Sequence, residues 1–148
     1  MRQAKILVVD DDRPFTRALS VRLGAAGYQV LIALDAESAS TLALRERPDL
    51  ILLDIDMPRY SGLEFHECLQ FSERGRRIPV VYLSGNDDVS RRLQAQQQGA
   101  CAFIAKPYES AELVAVLEKV LATTRRQAGA PADGGPDEAA ESRLALAG

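Results

Sequence analysis

Acidic, hydroxyl and amine side chains follow four short apolar runs of the sequence, each at the point where its run ends. Carboxylates that cluster repel by roughly 4 kcal/mol per pair at about 4 Å and an effective dielectric constant near ~20. Either one of them is protonated or a cation neutralises them. Mg²⁺ fits best, because it takes carboxylate oxygens and keeps water and phosphate oxygens in its shell. The residues concerned are Asp10, Asp11, Asp12, Asp54, Asp56, Ser84 and Lys106.

The apolar runs predict the elements that position these side chains. Most runs lack a polar residue at every second position, so both faces must be covered, as in a parallel sheet between helices. Right-handed crossovers then make an open, doubly wound α/β sheet. In such a sheet, ligands bind outside the carboxyl ends of the strands, so we expect the polar residues at one edge. The runs are 6–9, 28–32, 50–53, 80–83 and 102–105.

Five helices are predicted between and after these runs, because apolar residues recur there at helical spacing. The first has Pro14 in its opening turn, with Asp12 as its cap. The third is expected to end near Gly75, and the fifth to be capped by Glu109 or Ser110. Beyond these helices the composition changes to Ala, Gly and Pro, which predicts one domain over 1–124 and a flexible, disordered tail over 125–148.

Four segments together resemble one known family, the receiver domain of response regulators in two-component signalling. They are 5–12, 52–58, 83–85 and 106–108, and the resemblance covers about residues 4–123. It implies a flavodoxin-like, CheY-like fold, in which a doubly wound five-stranded parallel sheet has the order 2-1-3-4-5 and carries five helices. It also implies that Asp54 accepts a phosphoryl group from a sensor histidine kinase or a phosphotransfer protein. Such a receiver catalyses only its own phosphorylation and dephosphorylation.

The resemblance assigns further roles at this edge. It implies that Asp11 and Asp54 bind Mg²⁺ directly, with Mn²⁺ as an alternative, and that Asp10 binds it through water. The backbone carbonyl of Asp56 would complete the protein ligands. Lys106 would balance charge on the transferring phosphoryl group, which is most of what this step demands.

The family pattern also implies how the signal leaves the site. Ser84 would bind a phosphoryl oxygen, and Phe103 would rotate inward as the aromatic switch residue. Asp56 and Asn86 would tune the lifetime of the acyl phosphate, and an acid at position 56 is expected to change that lifetime in a direction left open. The fourth predicted helix, the fifth strand and the fifth helix would form the output face, or the contact of a homodimer. Charged residues assigned near this face are Arg91, Arg92, Lys106, Glu118 and Lys119.

Composition excludes several classes of protein. The 18 Lys and Arg residues against 21 Asp and Glu residues give a net charge of −3, which argues against direct binding of nucleic acid. No apolar run approaches a membrane span, and no signal-peptide pattern is present, so a cytoplasmic protein is expected.

Cys68 and Cys101 are interpreted as small buried residues in a reducing compartment. His66 is interpreted as an ordinary helix residue away from the acidic edge.

Other functions stay open at this stage. The pair Asp54 and Asp56 also resembles the motif of haloacid-dehalogenase-like phosphatases, in which the first aspartate is the nucleophile and the second a general acid. In that family, however, the motif follows the first strand, whereas here it follows the third. A nucleotide-binding protein is disfavoured because no phosphate-binding GxxxxGK[ST] loop is present. A scaffold without phosphorylation also remains an alternative, as does a chain cut from a longer regulator, and neither the kinase nor the downstream partner is indicated.

Overall fold

The computed structural model describes residues 2–57, 62–85 and 89–128. Within these ranges five strands alternate with six helices. The strands are β1 (Lys5–Val9), β2 (Gln29–Ala33), β3 (Leu50–Asp54), β4 (Val80–Ser84) and β5 (Ala102–Ala105). The helices are α1 (Arg13–Ala25), α2 (Ala36–Glu46), α3 (Gly62–Leu69), α4 (Glu73–Arg77), α5 (Val89–Gln98) and α6 (Ser110–Ala128).

All strand pairs of the sheet are parallel, and the strand order is β2-β1-β3-β4-β5. The doubly wound fold predicted from the apolar runs is therefore confirmed. Every residue of β3 and β4 is buried, which explains why these strands are continuously apolar until their last residue. Strand order reverses between β1 and β3, and this is where a doubly wound sheet binds its ligands.

Two apolar cores cover the two faces of the sheet. One core packs residues of α2, α3 and α5 against one face. The other packs α1 and α6 against the opposite face. Alternate residues of one strand go to different cores, as with Leu7 and Val9 on one side and Ile6 and Val8 on the other.

The start of α1 agrees with its sequence. The Asp12 side chain accepts a hydrogen bond from the backbone N–H of Phe15 at 3.0 Å, and proline occupies the first turn. This confirms Asp12 as a helix cap. The helix ends before Gly27, whose φ of 99° lies in the left-handed region that favours glycine.

Two helix boundaries differ from the prediction. The third predicted helix ends at Leu69, because Ser72 caps a separate short helix by accepting from the N–H of Gly75 at 2.8 Å. A Cβ at Gly75 would clash with the backbone carbonyl oxygen of Leu69 and lie 2.5 Å from the Ser72 hydroxyl, so this tight turn depends on glycine. The last helix continues to Ala128, so residues 125–128 are helical and do not belong to the predicted tail. Residues 129–148 lie outside the described residues.

The prediction that both cysteines are buried is wrong. Cys68 and Cys101 are exposed. Cys68 lies on α3, which turns Phe65, His66 and Leu69 inward, and Cys101 precedes β5 in the connection from α5.

Across the described residues, each helix is too short or too polar to span a lipid bilayer.

A buried polar pair joins α3 to the sheet. Nδ1 of His66 lies 2.5 Å from the hydroxyl oxygen of Tyr82, and the two rings pack edge to face. Burial lowers the pKa of His66 to about 4 and raises the pKa of Tyr82. The phenol therefore stays protonated and the imidazole neutral at pH 7, and the tautomer of the imidazole sets which of the two groups donates. His66 is a core residue on α3 with no assigned role at the acidic edge.

We expect His66 to make stability depend on pH. The unfolded chain binds a proton at His66 near pH 6.5, whereas the folded chain does so only near pH 4. This part of the stability is present above pH 6.5 and is lost as the pH falls towards 4. Compared with His66→Gln, the wild type should lose about 2 kcal/mol of unfolding free energy between pH 7 and pH 5. Urea unfolding at both pH values measures this difference.

The comparison with the variant is needed because Asp10 acts in the opposite direction. The pKa of Asp10 is raised to about 6 in the folded chain. Its protonation therefore increases the free energy of unfolding as the pH falls through 6, and this contribution is the same in the wild type and in the variant. An unfolding free-energy difference that stays constant from pH 7 to pH 5 would contradict the role given to His66.

Candidate functional site

The register of the sheet brings two aspartates together. In the β1–β3 pair, Val9 lies opposite Leu53. The residue after each of these is an aspartate, Asp10 and Asp54. Because the strands are parallel, both carboxyl ends meet at one edge, and the two aspartates are neighbours there. The side chains are almost fully buried, with 1% of Asp10 and 5% of Asp54 exposed.

Strands β4 and β5 bring a hydroxyl and an amine to the same edge. Ser84 ends β4, and it lies opposite Ala105 in the register of β4 and β5. The backbone N–H of Lys106 donates to the carbonyl of Ser84 at 2.8 Å, which extends this pairing by one residue. The serine and the lysine therefore leave adjacent strands at the same level.

Three carboxylates form one cluster at this edge. Asp10, Asp11 and Asp54 each offer an oxygen, and these oxygens all lie within 4.8 Å of one another. Burial and the charge of Asp54 raise the pKa of Asp10 to about 6, although the backbone N–H of Asp12 and the charge of Lys106 oppose the shift. Burial and a neighbouring carboxylate both disfavour the charged form of a carboxyl group, and both therefore raise its pKa. The oxygen donors and their charge therefore fit a hard divalent cation such as Mg²⁺.

Lys106 lies against this cluster. Its Nζ is 3.2 Å from Oδ2 of Asp10 and 3.4 Å from Oδ2 of Asp54. Burial lowers the pKa of Lys106, but the two carboxylates outweigh this effect and raise it, so the amine is charged. The Nζ also lies 4.5 Å from the ring centre of Phe15. The lysine is thus held by two acids and an aromatic face.

Asp56 has contacts that the sequence did not predict. Its backbone N–H donates to Oδ1 of Asp54 at 2.8 Å. Its carboxylate accepts hydrogen bonds from the Ser84 hydroxyl and the Gly85 N–H, and it pairs with Nη2 of Arg91 at 3.2 Å. Arg91 thus reaches Asp56 and Lys106 reaches the acidic cluster, while the role of the predicted output face stays a prediction.

The switch and lifetime residues are only partly described. Phe103 is half-buried on β5, where it packs against the core that includes α5, and the guanidinium of Arg92 lies 4.9 Å from its ring centre. Asn86 lies outside the described residues. The switch role of Phe103 stays a prediction.

Sequence reasoning missed two residues that shape the site. Phe15 lies on α1, and no pattern in the sequence marks it as a contact of Lys106. Gly62 begins α3, where a Cβ would lie 2.5 Å from the carbonyl oxygen of Asp54. The sequence shows a glycine at this position, but the close approach of two backbone segments that requires it is visible only in the structure.

The fold and this edge define a class of protein: a flavodoxin-like α/β protein with a buried acidic site and a lysine after its last strand. The family model described as "Response regulator receiver domain" matches residues 6–118 of this chain. The chain therefore belongs to the response regulator receiver family, the receivers of two-component signalling.

Relatives and solved structures agree with this family. The chain is 37% identical over 138 residues to the response regulator MprA of Mycobacterium leprae, covering 93% of this chain and 55% of that protein. It thus spans about half the length of such relatives. The chemotaxis protein CheY4 of Vibrio cholerae superposes with a TM-score of 0.77 at 28% identity, covering 80% of this chain and 99% of that one. A putative response regulator from Chloroflexus aurantiacus gives a TM-score of 0.77 at 28% identity, over 82% and 99% of the two chains.

The phosphatase alternative is not supported. The family match covers most of the chain, and it assigns the Asp54 segment to a receiver. The carboxylate of Asp56, proposed there as a general acid, is instead held by Ser84, Gly85 and Arg91.

Proposed function

We propose that Asp54 is the phosphoacceptor of this receiver and that the step depends on Mg²⁺. The observation that carries the proposal is the position of Lys106, whose amine contacts both Asp10 and Asp54 beside a third carboxylate. A nearly buried carboxylate beside a fixed cation is suited to act as a nucleophile toward phosphorus.

In this step a carboxylate oxygen of Asp54 attacks the phosphorus atom of the donor. The new bond joins that oxygen to phosphorus, while the bond from phosphorus to the donor's leaving atom breaks and its electron pair departs with the donor. Lys106 offers its charge to the phosphoryl oxygens. Asp10, Asp11, Asp54 and the carbonyl of Asp56 would hold Mg²⁺, or alternatively Mn²⁺, and the ion would neutralise the charge that the acids and the phosphoryl group share.

The remaining roles follow as proposals from membership of the family. We propose that a sensor histidine kinase or a phosphotransfer protein donates the phosphoryl group, that the chain acts in the cytoplasm, and that it catalyses only its own phosphorylation and dephosphorylation. Ser84 and Phe103 would respond to the new group, and Asp56 with Asn86 would set its lifetime. The face formed by α5, β5 and α6 would then bind a downstream partner or a second copy.

The test is the mass of the intact protein after incubation with acetyl phosphate. With Mg²⁺ present, we expect the wild type to gain the mass of one phosphoryl group, and with a chelator we expect no gain. Reduction of the acyl phosphate with borohydride, followed by peptide mapping, should locate the group at Asp54. An unchanged mass in the presence of Mg²⁺, or a group on another residue, would refute the proposal.

A further inference from the structure

The carboxylate of Asp56 contacts three polar groups, which come from the last residue of β4, the residue after it, and α5. The Ser84 hydroxyl donates to Oδ2 at 2.8 Å, and the backbone N–H of Gly85 donates to the same oxygen at 2.9 Å. Nη2 of Arg91 lies 3.2 Å from the other oxygen. A hydroxyl, a backbone N–H and a guanidinium are the groups that proteins use to bind a phosphoryl group. Asp56 therefore occupies the donors of an anion site with an anion of its own chain.

The Ser84 hydroxyl cannot serve two acceptors with one proton. A serine hydroxyl has a single O–H donor, and Ser84 is fully buried. A phosphoryl group on Asp54 can receive this hydrogen bond only after the hydroxyl has left Asp56. The backbone N–H of Asp56 donates to Asp54, so the two acids are held as neighbours and the added negative charge would repel the Asp56 carboxylate.

We propose that Asp56, together with Ser84, Gly85 and Arg91, forms a latch that holds the start of the β4–α5 connection in its unphosphorylated arrangement. The proposal rests on the proposed phosphorylation of Asp54 and adds a regulatory contact to that site. Phosphorylation opens the latch, because the Ser84 hydroxyl and the Gly85 N–H exchange the Asp56 carboxylate for the phosphoryl group as their acceptor. Arg91 positions the Asp56 carboxylate and offsets its charge.

Hydrogen exchange at the Gly85 amide, followed by NMR, tests the latch. Gly85 lies at the exposed surface, so its protection depends on the bond to Asp56. In the unphosphorylated protein, Asp56→Ala should speed exchange of this amide about tenfold, as expected for a lost charge-assisted hydrogen bond. Saturating acetyl phosphate with Mg²⁺ should move the Gly85 amide resonance of the wild type away from its unphosphorylated position, because the acceptor of this N–H changes from Asp56 to the phosphoryl group.

Matched variants separate the latch from general loosening of α5. Arg91→Gln should speed exchange at Gly85 by a smaller factor, because the carboxylate remains but loses its positioning partner. Arg92→Gln changes the neighbouring arginine, which stacks on Phe103, and it should leave exchange at Gly85 at the wild-type rate. Arg91→Gln also provides the measurement if Asp56→Ala fails to fold, because it changes a half-exposed helix residue.

The outcomes distinguish this proposal from the function on which it rests. If the wild type gains no phosphoryl mass, the proposed function fails, and the unphosphorylated variants still test the contact. If Asp56→Ala and Arg91→Gln both leave exchange at Gly85 unchanged, the latch is refuted. If the wild type becomes phosphorylated while the Gly85 amide resonance keeps its unphosphorylated position, the release step is refuted.

Discussion

Replacing Asp54 with asparagine is expected to abolish phosphoryl incorporation from acetyl phosphate. The amide has no carboxylate oxygen to attack phosphorus, and it also removes one acid from the cluster that would hold Mg²⁺. The carboxamide can still accept the hydrogen bond that the backbone N–H of Asp56 donates. The variant should therefore fold, and mass spectrometry should find no phosphoryl group at any donor concentration that saturates the wild type.

Asp12→Asn is the matched control for this prediction. Asp12 lies two residues after Asp10, yet it serves as the cap of α1, and asparagine caps a helix as well as aspartate does. This variant should incorporate the phosphoryl group as the wild type does. Full incorporation in Asp54→Asn would remove Asp54 as the phosphoacceptor.

Replacing Gly62 with alanine is expected to have a large effect on stability. A Cβ at this position would lie 2.5 Å from the carbonyl oxygen of Asp54 and 2.8 Å from Cα of Ile55. Both atoms belong to the backbone, so a side chain cannot turn aside to relieve the clash. We expect a loss of about 4 kcal/mol in the free energy of unfolding, measured by urea unfolding. Slower phosphorylation should accompany it, because the clash displaces the segment that carries the nucleophile.

For Gly24→Ala we expect the opposite effect, a gain in the free energy of unfolding. Gly24 lies within α1, and a Cβ there would meet no atom within 4 Å. Alanine should then stabilise the helix by about 1 kcal/mol, since it loses less conformational freedom on folding. A Gly62→Ala protein as stable as the wild type would show that the two backbone segments do not need this close approach.

The sequence predicted the architecture well because the signals for it are local. The apolar run that becomes β3 ends at Asp54, and the run that becomes β4 ends at Ser84, so the polar edge was visible before any coordinates. Asp12 before Pro14 marked the start of α1 in the same way. One exception was the helix predicted to reach Gly75. The helix breaks because Ser72 caps a new helix and because the backbone carbonyl of Leu69 lies against Gly75. Neither contact changes the spacing of apolar residues from which the helix was predicted.

The sequence by itself determined which residue types meet at the carboxyl edge of the sheet, because strand periodicity and parallel pairing place strand ends together. Only the tertiary structure decided what each of those side chains contacts. Arg91 and Asp56 are 35 positions apart, and they meet because α5 packs beside the loop after β3. Phe15 faces Lys106 for the same kind of reason. Such contacts follow from the packing of whole elements, and that packing is set by the two cores rather than by the local order of residues.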